Sequence, residues 1–363
     1  MTDLEAYVTL NLIPKLGPVR LRRLRDALGG PQAILQAGSE TLASVPGIGP
    51  EAARSIAGWK TTVDPEREFQ LAAAAGARIL CPSCPEYPAG LKEIHDPPSV
   101  LYMMGNLEPR DRTAVGVVGS RKPSHYATEA AKKISHQLAY QGVTVVSGLA
   151  RGIDTAAHQG ALAAKGRTLA VIGSGLNRLY PPENDCLARR IAESGAVLSE
   201  FPMETGADRQ TFPMRNRIIS GLSFGLLVVE AGASSGALIS ANQAAEQGRS
   251  LYAIPGRIDH PGAFGSNRLI QQGAKLIMSA EDILEDLQLL FPKQPELTRT
   301  GATESLSGEE RQIYETMDSE EVIMDELIAK TGLPSHQVAS TLLRLEMRRL
   351  VKQLPGSRFV KLL

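Results

Sequence analysis

The stretch "AVGVVGSRKPS", residues 114–124, decides how this chain of 363 residues is read. Five apolar residues in unbroken succession describe a strand buried on both faces. The run ends in Gly, Ser, Arg and Lys, the composition of a turn that cradles phosphate. It is not G-x-G-x-x-G and no G-K-[ST] follows, so it is neither a dinucleotide fingerprint nor a Walker loop. Similar apolar runs stand at 143–147, 167–173, 196–200, 224–230, 250–254 and 274–277. Helical patterns such as "HYATEAAKKISHQLAYQG" and "GALISANQAAEQG" separate them. This alternation predicts an α/β fold, a Rossmann-like doubly wound parallel sheet over residues 66–290. The Pro-rich stretch "ARILCPSCPEYPAGLKEIHDPPSVLYMMGN" precedes it and predicts extra edge strands, so the sheet is an extended one.

In such a sheet ligands sit beyond the carboxyl ends of the strands, near the point where strand order reverses. The residues there are Gly119, Ser120, Arg121 and Lys122 after the first strand and Ser147, Gly148 and Arg151 after the second. Gly173, Ser174, Gly175 and Arg178 follow the third, and Arg209, Phe212, Arg215, Asn216 and Arg217 lie in and after the loop beyond the fourth. Gly232, Ser234, Ser235 and Gly236 follow the fifth. Glycines let backbone amides approach a ligand, arginines fork onto phosphate oxygens, and Phe212 offers a stacking face. Each loop alone is an ordinary packing feature; the succession of donor loops is what argues for an anion. A row of them suits a row of phosphates, a single strand of nucleic acid, better than one mononucleotide.

Residues 1–65 read as a helical domain of the SAM-like, helix-hairpin-helix kind. "LIPKLGPVRLRRLRDAL" and "LASVPGIGPEAARSIAGW" repeat one pattern, with Gly47 and Gly49 at the second turn and Arg20, Arg22, Arg23 and Arg25 in the first copy. Amides at such a turn can face a phosphate, and the same hairpins also serve as plain packing domains. Residues 291–305 are polar and aperiodic, a linker. Residues 306–363 read as a winged helix: "IMDELIAKTGLPSHQVASTLLRLEMRRLV", then the hairpin "LVKQLPGSRFVKL". Its expected recognition helix opens on "SHQVAST" without Arg or Lys, whereas a major-groove reader places its contacts there. Protein docking or weak DNA contact is therefore favoured for this domain.

Composition excludes much. The formal net charge of zero argues against a protein that coats duplex by bulk charge. Aromatic content of 4% leaves no room for a broad stacking platform. Three cysteines in a chain of this length fit the reducing cytoplasm. No run of about 18 apolar residues marks a membrane span, and the first residues lack the basic region of a secretory signal. No catalytic set, cofactor site or metal site is evident. Asp154 and Glu230 lack a second acid at metal-bridging spacing, and Asp154 suits a helix start. His158 reads as a packed helix histidine, and Ser234 and Ser235 as helix caps. Cys81 and Cys84 form a lone C-x-x-C with Cys186 far away, which does not make a zinc site.

With the rim assembled, the series "YPAGLKEIHDPPSVLYMMGN", "VGVVGSRKPS", "VSGLARGIDTAAHQGAL", "GSGLNRLYPPEN", "FPMRNRIISGLS", "VVEAGASSGALISANQAAEQGR" and "AIPGRIDHPGAFGSNRLIQQGA" strongly resembles the DNA-processing protein A family, DprA or Smf. The resemblance covers essentially the whole chain. It implies a homodimeric, cytoplasmic single-stranded-DNA binding protein of natural transformation, not an enzyme, that protects incoming strands and loads the RecA recombinase. It places the family's Gly-Ser-Arg turn on Gly119, Ser120 and Arg121, its Phe-Pro-x-Arg-Asn-Arg motif on Phe212 to Arg217, and a basic residue on Arg209. Thr211 departs from the His or Asn expected there. Two rivals stand beside it. One is a nucleotide-processing hydrolase of the lysine-decarboxylase-like type, although "EAGASSGALISANQAAE" has no carboxylate between Glu230 and Glu246. The other is a duplex-binding transcription regulator acting through the winged helix.

Overall fold

The computed structural model describes residues 1–290, 306, 308–317, 322–347, 350–354 and 358–361. They divide into two compact units, Met1–Leu290 and Phe291–Leu363. The linker expected at 291–305 and the Pro355-Gly356 turn of the wing lie outside the described residues.

The first unit is built on nine strands: β1 (Arg78–Leu80), β2 (Leu101–Gly105), β3 (Ala114–Val118), β4 (Thr144–Ser147), β5 (Thr168–Val171), β6 (Ala196–Ser199), β7 (Gly225–Val228), β8 (Ser250–Ala253) and β9 (Lys275–Leu276). Their order is β1-β2-β6-β5-β4-β3-β7-β8-β9. The seven from β6 to β9 run parallel. The expected extension is β2, antiparallel to β6, with β1 antiparallel to β2 at the edge. The chain enters in the middle at β3, winds outward through β4 to β6, and returns beside β3 as β7. Strand order therefore reverses between β3 and β7, where Val115 faces Gly225 and Val118 faces Val228.

Every residue of β3 to β7 is buried, which explains their unbroken apolar runs. Successive side chains point to opposite faces. Val115 and Val117 join Ile134, Leu138 and Ala157 of the helices His125–Tyr140 and Ile153–Ala163. Ala114 and Val118 join Ile218, Ile219 and Ala241 of the helices Thr211–Gly221 and Gly236–Glu246.

The N-terminal segment is helical from Asp3 to Ala74. Its first helix starts on a capping box, in which Thr2 Oγ1 accepts from Glu5 N and Glu5 from Thr2 N. Gly47 sits at the hairpin turn with φ +85°, a conformation that suits glycine, and the Arg23 guanidinium fills the space a Cβ would need. These helices share one core with the sheet: Leu10, Ile34 and Ile56 cluster with Tyr102, Ala170 and Val197. Glu68 accepts from Met203 N at 2.7 Å, and Asn11 donates to Glu200 O at 3.1 Å.

The second unit holds helices Gly308–Thr316, Met324–Thr331 and Ser335–Met347 and a three-stranded antiparallel sheet. Its strands are β10 (Val322–Ile323), β11 (Val351–Leu354) and β12 (Arg358–Lys361), in the order β10-β12-β11. Ile313, Leu327, Val338, Leu342, Leu345 and Phe359 form its own core. This is the winged-helix architecture that the sequence predicts. Each unit has a separate core, so a chain ending at Leu290 should fold alone. Expected is a single cooperative thermal transition with native-like circular dichroism; a molten, non-cooperative truncation would contradict the separation.

Candidate nucleic-acid interface

The carboxyl ends of β3 and β7 border a groove of about 590 Å³ at the point where strand order reverses. Gly119, Ser120, Arg121, Arg209, Phe212, Arg215, Asn216, Ser234, Ser235 and Gly236 all line it. Residues from three separate rim loops thus converge there. A recess of about 720 Å³ also flanks Glu230, but Arg257, the arginine lining it, is already paired with Asp259.

The turn after β3 is held at both ends. Ser120 N donates to Glu230 O at 2.8 Å, and Ile153 N to Ser120 O at 3.1 Å. The buried Glu230 carboxylate accepts from Ser124 N at 3.0 Å and from Ser124 Oγ at 2.5 Å. Ser124 Oγ is also the cap of the helix His125–Tyr140. Gly152 passes directly over this turn with φ +79°, where a Cβ would lie 2.3 Å from Ser120 O. Arg121 and Lys122 are left projecting and exposed. Sequence reasoning noted Glu230 only as a lone acid and missed its part as a clamp.

Some rim amides outside the groove are engaged inside the protein. Lys122 N bonds Ser120 Oγ, Gly148 N bonds Asp154 Oδ2, and Gly175 N bonds Thr205 O. The glycines instead admit neighbours. A Cβ on Gly148 would fall 1.7 Å from the Arg215 guanidinium, and one on Gly173 would fall 3.0 Å from the Phe212 ring. Ser147 is buried and donates to Val117 O at 2.6 Å, and Ser174 is buried as well. Ser235 caps the helix Gly236–Glu246. Among the groove-lining residues, Arg121, Arg209 and Arg215 bring side-chain donors beside the backbone of Gly119, Ser234 and Gly236.

Two of those arginines, two residues apart on the helix Thr211–Gly221, meet opposite fates. Both are 3% exposed. Arg217 forks onto Glu200 at 2.7 and 2.6 Å and pairs with Asp96 at 2.9 Å. Burial opposes its charge, but Glu200 and Asp96 outweigh it and hold its pKa above the ordinary value. Arg217 does not line the groove, which corrects its expected place among the phosphate donors; it braces the helix against the β6 loop. Arg215 does line the groove. It donates to Val171 O at 2.5 Å, and its Nε finds no hydrogen-bond partner among the described residues. Burial pushes its pKa down to about 10, with Asp154 opposing and Arg121 reinforcing that fall. Burial likewise raises the Asp154 carboxyl against the pull of Arg215 and two amides. Arg215 is therefore a buried cation with too little negative charge around it.

The remaining rim side chains form a series of arginine–ring and ring–ring contacts. The Arg121 guanidinium lies 4.7 Å from the Phe212 ring centroid. The Phe212 and Tyr180 centroids are 6.0 Å apart with planes tilted by 52°. The Arg151 guanidinium lies 5.9 Å from the Tyr180 centroid and is paired with Glu183. Tyr180 was not singled out from the sequence; its place two residues after Arg178 in the same βα loop was the available signal. Thr211, the unexpected residue, donates to Gly173 O at 2.5 Å and so ties the Phe212 segment to the β5 loop.

The residues considered for chemistry do other work. His158 is fully buried, and its Nδ1 is 2.7 Å from Thr168 Oγ1. That hydroxyl already donates to Val145 O, so it accepts from His158, which fixes the Nδ1–H tautomer. Cys81 and Cys84 lie with sulfurs 3.5 Å apart beside β1, and burial pushes the Cys81 thiol up. Among the described residues no group of three or more His, Cys, Asp or Glu is placed to hold a metal ion. No helix there is long and apolar enough to cross a membrane.

Two stability predictions follow from these placements. Arg217→Ala strands the Glu200 carboxylate and should cost about 3–5 kcal/mol in a denaturant melt, while Arg121→Ala, at an exposed position, should leave the midpoint unchanged. Burial pushes the His158 pKa down to about 3, below its ordinary 6.5. The unfolded chain then takes up this proton first. Stability is full above about pH 6.5 and falls by about 1.4 kcal/mol per unit toward pH 3. His158→Gln should flatten that acid limb; an unchanged limb would refute the assignment.

Comparison with known proteins agrees along the chain. The family model described as DNA recombination-mediator protein A matches residues 78–288, the DprA winged helix domain matches 298–357, and a SAM-like helix-hairpin-helix tandem matches 8–57. Protein Smf of Synechocystis sp. is 36% identical over 98% of this chain and 98% of its own. The X-ray structure of DNA processing protein A from Streptococcus pneumoniae superposes with a TM-score of 0.68 at 33% identity, covering 79% of this chain and 98% of that one. DNA processing protein A from Helicobacter pylori, solved for its unique single-stranded DNA binding mode, gives a TM-score of 0.53 at 27% identity over 59% of this chain and 96% of its own. On the extent of these matches, the chain belongs to the DNA recombination-mediator protein A family, known as DprA or Smf.

Proposed function

We propose that this protein binds single-stranded DNA in the groove between the ends of β3 and β7, with Arg121, Arg209 and Arg215 on phosphates and Phe212 against a base. The observation that carries this reading is the contrast between Arg215 and Arg217. Nearly equal burial leaves one guanidinium neutralised by two carboxylates and the other short of counter-charge at the groove wall. An anion in the groove supplies what Arg215 lacks. Exposed Arg121, Lys122 and Arg209 extend the positive edge beyond a single phosphate. The Helicobacter pylori relative's single-stranded DNA binding supports the same ligand here. In this reading the protein works in the cytoplasm as a homodimer through the sheet domain, needs no cofactor, catalyses no reaction, shields incoming strands during DNA uptake and passes them to the RecA recombinase.

The winged helix is assigned to docking or weak DNA contact, because its helix Ser335–Met347 starts without Arg or Lys. A hydrolase reading fits less well, because Glu230 and Asp154 are both occupied in holding loops. Each neutralised phosphate steepens the salt dependence of binding by about 0.7 log unit per tenfold rise in salt. Arg121→Ala should therefore reduce that slope by about 0.7 and weaken binding by about 1.5–3 kcal/mol. Titration of single and double strands of one sequence at several salt concentrations checks this. Salt-insensitive binding or preference for duplex would overturn the reading, and release of free base from nucleoside monophosphates would favour the hydrolase.

A further inference from the structure

The loops after β4 and β5 bring together a second aromatic and arginine pair beside the groove. Tyr180 is 39% exposed, and its ring lies 6.0 Å from that of Phe212, which Arg121 also contacts. Arg151, from the loop after β4, stacks on Tyr180 and is held by Glu183 from the segment just after it. Neither Tyr180 nor Arg151 lines the groove itself. The contacts thus run Arg121, Phe212, Tyr180, Arg151, two rings with an arginine at each end of the series. Each ring and its arginine form the pair that a nucleotide needs: a face for the base and a fork for the phosphate. Glu183 differs in kind from the carboxylates that brace the fold. Its side chain is 49% exposed and Arg151 is 54% exposed, so the pair can open without unburying charge. Its carboxyl is held below the usual range by that contact, and so stays ionised on Arg151.

We propose that Tyr180 and Arg151 form a second nucleotide station beyond the groove, and that Glu183 is a resident anion on Arg151 which a strand phosphate displaces. The station rests on the single-strand reading of the groove and extends it to a path over the ends of β4 and β5. Glu183 lowers affinity for the strand, since it must be removed before Arg151 can bind a phosphate. Removing this acid therefore strengthens binding, an outcome that damage to the fold would not produce.

The test is anisotropy titration of the full-length protein with labelled oligothymidylates of about four and about eight nucleotides, within the range that single-strand folds occupy. Tyr180→Ala should weaken the longer strand about tenfold, the scale of one lost base stack, with a smaller deficit on the shorter one. Tyr180→Phe should retain affinity, because the ring rather than the hydroxyl is used. Glu183→Gln should bind the longer strand about two- to fivefold more tightly, the scale of an exposed ion pair. Wild-type affinity of Tyr180→Ala for both lengths, or weaker binding by Glu183→Gln, would overturn the station while leaving the groove intact. Failure of the wild type to bind either strand would overturn the groove reading and the station with it.

Discussion

The groove depends on one buried carboxylate. Glu230 stands just past β7, and its backbone oxygen and side chain hold Ser120 and Ser124. The intervening residues have no freedom to fall back onto the sheet, so Arg121 and Lys122 project. Because Glu230 directly follows β7, the strand beside β3, the clamp sits where the order of strands reverses. Parallel sheets leave a crevice at that point for topological reasons. Here the crevice is kept open by hydrogen bonds to an acid that would otherwise repel the proposed ligand. Ser124 and its helix cap occupy that acid, which reconciles a buried carboxylate with a basic rim.

The helix Thr211–Gly221 carries the second constraint. One turn presents Phe212, Arg215 and Asn216 to the groove, while Arg217 points to Glu200 and Asp96. The backbone oxygen of Glu200 accepts from Asn11 of the first helix. Groove, β6 loop and N-terminal helices are therefore joined through a short chain of contacts. The arginine that cannot reach the groove still sets the angle at which its neighbours do. This explains why two arginines on one helix divide into a brace and a groove-lining residue. Removing water from both guanidiniums costs free energy, and only one recovers it from within the fold.

The architecture was legible because the central strands are covered on both faces, so their apolar runs are continuous and end abruptly in Gly, Ser and Arg. The edge extension was legible from its prolines, although the antiparallel sense of β1 and β2 was not. Gly119, Ser120, Arg121, Phe212 and Arg215 do meet in one groove, as strand-end positions must. Arg217 was misplaced because residue type does not reveal which side of a helix faces a carboxylate; Glu200 and Asp96 lie far off in sequence. The part played by Gly148 was hidden for a related reason. A glycine reads the same whether it admits a ligand or, like Gly148, admits a guanidinium. Tyr180 was missed because its place near Arg178 in the β5 loop is a weak signal by itself, and only the fold brings it beside Phe212.

The central claim is that a strand lies along the ends of β3, β7 and β5, against the Phe212 and Tyr180 rings. The most direct test is photocrosslinking with a single strand carrying 5-iododeoxyuridine, whose excited base attaches to an aromatic ring it stacks upon, followed by peptide mapping. The account predicts attachment at Phe212 or Tyr180, suppressed by excess unlabelled single strand and not by duplex. Attachment confined to residues 306–361, or to the hairpin around Gly47, would contradict it.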